Sequence, residues 1–182
     1  MVNQKEIRLS GSGGQGLILG GIILAEAALL DGKNAIQSQS YGPEARGGAS
    51  KAEVIISDDT IDYPKVEKAD LLLALTDKAY HKYIKTLKDD GILIIDSNIE
   101  LDDTDKAYKI LQVPIIQSAS EKIGKAMVAN IVALGVIRAV TDVVTEEALE
   151  NAVLKRVPKG TEELNKAALQ EGYLLAKASK NK

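Results

Sequence analysis

One short run constrains this chain more than any other: Gly11-Ser12-Gly13-Gly14-Gln15-Gly16 lies between Glu6–Ser10, which reads as a short strand, and the helix-length apolar segment Leu17–Leu30. Glycines at this density cannot sit inside a helix or a strand, so they predict a tight turn from strand to helix. Asp31-Gly32 stops the helix, and Ala35–Ser38 reads as the next strand. Strand, turn, helix and strand in that order open an α/β fold with parallel strands. Gly11, Gly13 and Gly16 also satisfy G-x-G-x-x-G, in which glycines let the backbone approach a pyrophosphate at a helix N-terminus. That fingerprint needs an acid about 20 residues on, at the end of the second strand. Ile36-Gln37-Ser38-Gln39-Ser40 supplies none. Three uses therefore stay open: a dinucleotide, another anion or a partner's backbone, or a turn that needs glycine only for packing. No Gly-Lys-Ser/Thr follows, so the loop is not a Walker A motif.

The rest of the chain reads as one domain. Ser40–Gly48 is a second loop, with three glycines and Pro43 around Arg46, whose guanidinium fork suits a carboxylate or a phosphate. A long ordered turn, with Arg46 paired to Glu44 or to the first loop, explains the same residues. Lys51–Ser57 is a strand, Asp58-Asp59 a turn, and Thr60–Asp62 pairs back as a short hairpin. Ala69–Leu75 is a buried strand, and Thr76 caps a helix over 77–88. Asp89–Gly91 turns into strand Ile92–Asp96, and Lys109–Val113 is one more strand. Ser118-Ala-Ser-Glu121 has the capping-box pattern and predicts a long helix to Val140. Thr145 and Thr161, each followed by two glutamates, open two further helices. The expectation is a three-layer α/β/α domain over 1–178, with a mostly parallel, mixed sheet, a helical C-terminal third, and a frayed tail at 179–182.

Composition narrows the function. The chain of 182 residues has no cysteine, so it offers no thiolate nucleophile and no cysteine ligand to zinc or an iron–sulfur cluster. That usage fits a reducing cytoplasm. A net charge of −3 argues against nucleic acid. The longest apolar stretch, Met127–Val140, is interrupted by Asn130 and Arg138 and falls short of the roughly 20 residues a membrane helix needs. His81 is the only histidine and lies among Lys78, Lys82 and Lys85, as a solvated side chain would. The carboxylate pairs Asp58-Asp59, Asp89-Asp90 and Asp102-Asp103 fall at expected turns, where acids are solvated. No catalytic residue and no metal ligand emerges. Asn130 and Arg138 share one sector of their helix, as an internal polar contact or as a subunit contact.

Taken together, the two loops carry a resemblance. Gly11–Gly16 followed by Gln39-Ser-Tyr-Gly-Pro-Glu-Ala-Arg-Gly-Gly-Ala-Ser50 resembles the gamma subunit of 2-oxoacid:ferredoxin oxidoreductases, and Glu53–Asp58 with Ile61-Asp-Tyr-Pro64 continues the likeness. The spelling Tyr41-Gly-Pro-Glu-Ala-Arg-Gly-Gly48 is closest to the 2-oxoglutarate type; pyruvate-type gamma subunits usually spell this loop differently. The resemblance implies a part of an enzyme. The family complex decarboxylates a 2-oxoacid oxidatively, with coenzyme A as acyl acceptor and ferredoxin as electron acceptor. Thiamine diphosphate lies between alpha and beta subunits, and the iron–sulfur clusters lie on beta or a delta subunit. Gamma carries neither, packs on those subunits, and is implied to assist coenzyme A. The residues expected to contact coenzyme A or a neighbour are Gly11, Gly13, Gly14, Gln15, Gly16, Tyr41, Glu44, Arg46, Gly47 and Gly48. An isolated chain is expected to be inactive and able to form a homodimer. A stand-alone nucleotide- or flavin-binding oxidoreductase is the alternative.

Overall fold

The computed structural model describes residues 3–40 and 48–179. Strands β1 (Gln4–Ser12), β2 (Asn34–Gln39), β3 (Ala49–Ser57), β4 (Ala69–Ala74), β5 (Leu87–Asp96) and β6 (Lys109–Val113) form one sheet in the order β2-β3-β1-β4-β5-β6. Strand β4 pairs in parallel with β1 and with β5, and β5 pairs in parallel with β6. Strand β3 is antiparallel to both β1 and β2. The sheet is therefore mixed and mostly parallel, as expected. The sequence left the strand order open: β1 and β2 run in the same direction, as expected, but are not neighbours. Strand β3 is inserted between them. It is joined to β2 by a short connection, and a short connection favours an antiparallel return over a crossover.

Helices cover both faces. Alternation along β4 sends Leu71 and Leu73 to one face, and Leu72 and Ala74 to the other. The first face packs against α1 (Leu17–Leu30), α4 (Ala129–Thr141), α5 (Glu146–Arg156) and α6 (Glu162–Ser179). The second packs against α2 (Asp77–Tyr83), with Tyr80, Tyr83 and Ile84 in its apolar cluster. Helix α1 buries Leu17, Gly20, Gly21, Ile23, Leu24, Ala25, Ala27 and Ala28, so it is apolar nearly all round. Helices α4 and α6 touch backbone to backbone: a Cβ on Gly172 would lie 2.8 Å from the Gly135 Cα and would also meet the Val132 carbonyl.

Three boundaries differ from the sequence reading. Residues 60–62 form no hairpin; Ile61 packs instead with Ile55, Val66 and Ala69 as a small separate cluster. Helix α2 stops at Tyr83 and tightens into a 3₁₀ turn over Ile84–Thr86, where the Thr86 hydroxyl donates to the Tyr83 carbonyl at 2.6 Å. Strand β5 then begins at Leu87, so Asp89-Asp90-Gly91 lies within a strand rather than a turn. The capping box at Ser118 does not form. A helical turn, α3, starts earlier at Ile115–Gln117, widens into a π-helical turn over Ser118–Lys122, and breaks at Gly124, with φ at 80°. The chain re-enters helix through a 3₁₀ turn over Ala126–Val128. Ser118 is buried within this segment, and its hydroxyl is not the start of anything.

Candidate functional site

The glycine loop leaves β1 at the carboxyl edge of the parallel strands, where open α/β sheets bind ligands. Gly11 still belongs to the strand, and a Cβ there would stand 3.0 Å from Leu17 Cδ1 and collide with Gln15 Oε1. The Gln15 side chain folds back over the loop, its Oε1 accepting from the Ser12 N–H at 2.8 Å. Gly14, with φ at 85°, is exposed and has open space where a side chain would go. Gly16 adopts φ 72° and is the N-cap of α1. No side chain caps this helix, and no acid occupies its first turn. Its first N–H groups, with the positive end of the dipole, therefore face the rim without an internal carboxylate.

One contact holds this loop from outside, and a second holds the strand that pairs beside it. Asn130, on the first turn of α4 and 6% exposed, donates from Nδ2 to the Gly16 carbonyl at 3.1 Å and accepts from the Ile131 N–H at 2.9 Å through Oδ1. The same amide fills the space of the missing Gly16 side chain, 2.5 Å from where a Cβ would stand. Of the two contacts anticipated for Asn130, the structure makes the internal one. On the opposite face of the sheet, the Tyr83 hydroxyl donates to the Ala49 carbonyl at 3.2 Å. Ala49 pairs in register with Ser12, which puts the return from the second loop beside the departure of the first. Ser40 and Gly48 thus mark the ends of the second loop at this same rim. Tyr41, Glu44, Arg46 and Gly47 lie outside the described residues.

Beneath the rim sits a buried charge network that the sequence reading missed. Arg8 donates through Nε to Glu53 Oε1 at 3.2 Å and through a terminal nitrogen to the Val66 carbonyl at 2.8 Å, and it also reaches the Thr86 hydroxyl. Lys51 pairs with the same Glu53 oxygen, and the Arg8 guanidinium lies 5.8 Å from the centre of the Tyr83 ring. The signal was present as opposite charges inside apolar strands, at Arg8 and Glu53. Such a pair is held by its hydrogen bonds and would leave a bare buried charge if either member were lost.

The remaining titratable candidates are not assembled for catalysis. His81 donates from Nδ1 to the Asp77 carbonyl at 2.9 Å, which raises its pKa, with smaller help from the Asp77 and Asp102 carboxylates. Tyr80 accepts from the Asp102 N–H and donates to Asp105 at 2.6 Å; burial first, then Asp105, pushes its hydroxyl up to about 12. Arg138 pairs with Asp142 and Glu146, inside its own corner of the domain. Asp96, fully buried at the end of β5, accepts from the Asn98 and Ile116 N–H groups. Among the described residues, no group of three or more His, Asp or Glu side chains is arranged to hold a metal ion, and no helix is long and apolar enough to cross a membrane.

These features define a class of protein: a mixed α/β domain with a glycine-rich turn at the carboxyl edge of its parallel strands. The dinucleotide alternative loses its geometry as well as its acid, because the antiparallel β3 separates β1 from the strand that would carry the ribose contact. Residues 6–175 match the family described as POR, pyruvate ferredoxin/flavodoxin oxidoreductase. The chain is 51% identical over 179 residues to the 2-oxoglutarate synthase subunit KorC of Methanocaldococcus jannaschii, covering 96% of this chain and 95% of that one. It is 40% identical to KorC of Archaeoglobus fulgidus, covering 95% and 88%. Among solved structures it resembles the keto/oxoacid ferredoxin oxidoreductase gamma subunit from Geobacter sulfurreducens, with a TM-score of 0.89, 51% identity, and coverage of 97% and 98%. The chain belongs to the pyruvate ferredoxin/flavodoxin oxidoreductase family, and these relatives are subunits of oxidoreductases rather than complete enzymes.

Proposed function

We propose that this chain is the gamma subunit of a 2-oxoglutarate:ferredoxin oxidoreductase, a single domain over 1–178 without catalytic residues of its own. The observation that carries this reading is its similarity to KorC subunits over nearly the full length of both chains. Its partners are the alpha and beta subunits, with a delta subunit where the clusters lie apart. Thiamine diphosphate and the iron–sulfur clusters belong to those chains. The donor set here does not fit a cluster, since there is no cysteine to ligate iron. The complex acts in the cytoplasm and passes its electrons to ferredoxin.

The two loops at the rim contact coenzyme A or hold the neighbouring subunit against it. The phosphates of coenzyme A suit the uncapped N–H groups after Gly16 and the guanidinium of Arg46. Gly11, Gly13, Gly14, Gln15 and Gly16 shape the first loop, and Tyr41, Glu44, Arg46, Gly47 and Gly48 the second. The test is reconstitution. The chain alone is expected to show no turnover, and the complex containing it 2-oxoglutarate- and coenzyme A-dependent reduction of ferredoxin. Turnover by the isolated chain, or a preference of the complex for pyruvate, would overturn the reading.

A further inference from the structure

The geometry points to Asn130 as a positioning residue for coenzyme A, acting through the glycine loop rather than by touching the ligand; this rests on the reading of the rim as the coenzyme A contact. Three observations converge on it. Asn130 is 114 residues from Gly16 in sequence, yet its amide donates to that glycine's carbonyl and fills the space beside its Cα. Gly16 is left-handed and caps α1 without any side chain of its own; the local Gln15 contact holds the Ser12 N–H, and the Asn130 amide is the side chain that reaches the Gly16 carbonyl. The Asn130 amide is itself fixed, because its oxygen accepts from the Ile131 N–H and α4 is locked backbone to backbone against α6 through Gly135 and Gly172. The helical C-terminal third therefore reaches across the domain through one side chain. It sets where the first N–H groups of α1 point.

The Gly16 carbonyl also accepts the ordinary helical bond from the Gly20 N–H at 2.9 Å. Removing the Asn130 amide therefore leaves α1 in place and frees only its leading turn. The loss falls on ligand affinity rather than on the chemistry performed elsewhere.

The experiment uses the reconstituted complex. Asn130→Ala is expected to raise the KM for coenzyme A about 3- to 10-fold, with kcat at saturating coenzyme A and the KM for the oxoacid within twofold. Asn130→Asp keeps the shape but sets an acceptor against the Gly16 carbonyl and an anion beside the rim. It is expected to raise the KM for coenzyme A further than alanine does. Gly14→Asp separates this inference from the reading beneath it, because that exposed position has room for a side chain and Asp tolerates a left-handed backbone. If Gly14→Asp weakens coenzyme A and both Asn130 variants do not, the positioning role is wrong and the contact stands. If none of the three weakens it, the contact itself is wrong and the inference falls with it. If an Asn130 variant blocks assembly, or lowers kcat and both affinities together, Asn130 is only structural and the inference is overturned.

Discussion

Gln15 and Asn130 grip one loop from two sides: Gln15 from within, on the Ser12 N–H, and Asn130 from a distant helix, on the Gly16 carbonyl. The glycines of this loop were legible because their spacing declares a turn. Asn130 was legible only as a polar residue in an apolar helix, since sequence periodicity says which face is buried and not what that face meets. Arg8 and Glu53 were hidden for the opposite reason: strands buried on both faces are expected to be apolar, so two isolated charges carry no visible link. His81 allows a prediction at this scale. Its folded pKa is raised above 6.5, chiefly by the bond to the Asp77 carbonyl. Its protonated form thus contributes stability that is complete below about pH 6.5 and lost as pH rises through the folded value. Because the ring is largely solvated, the contribution is small. Urea unfolding of the wild type and His81→Gln at pH 5.5 and 8.5 should show a gap that narrows at the higher pH; a gap independent of pH would exclude the effect.

Helices and strands with strong local signals came out as read. Thr76 and Thr145 accept from the N–H groups three residues on, at 3.3 Å and 3.1 Å, as their N-cap positions require. The misreadings fall where tertiary contacts overrule local preference. Ser118 carries a capping pattern, but the segment already turns from Pro114, whose carbonyl accepts from the Ser118 N–H at 2.9 Å. Helix α2 was expected to run to Lys88, but Thr86 is needed by Arg8, and Leu87 starts β5. Strand β3 could not be oriented from sequence, because alternation is the same in either direction. The α4–α6 pair carries the prediction at this scale. Gly172→Ala would press a methyl group into the Val132 carbonyl and against Gly135, both of them backbone that cannot swing aside. The expected cost is about 3 kcal/mol, read as a lower urea midpoint at unchanged slope. A loss near zero would mean that the helices slide apart freely.

The molecule as a whole has its largest apolar cluster shared between the two parts of the sequence. Ile7, Leu9 and Leu73 from the sheet pack in one body with Leu24 of α1, Val132 of α4 and Leu169 of α6. The C-terminal third has no separate interior, so the chain is expected to unfold in a single transition. Far-UV circular dichroism and segment-resolved hydrogen exchange should give the same midpoint for β4 and for α6; two midpoints would divide the domain. A shared interior also limits what can vary. Because β3 runs against both β1 and β2, the end of β2 and the start of β3 lie at the same edge of the sheet as the glycine turn. On the coenzyme A reading proposed above, a graft of residues 40–48 from a relative is expected to retune coenzyme A affinity at an unchanged urea midpoint, and a lowered midpoint would tie the segment to the interior.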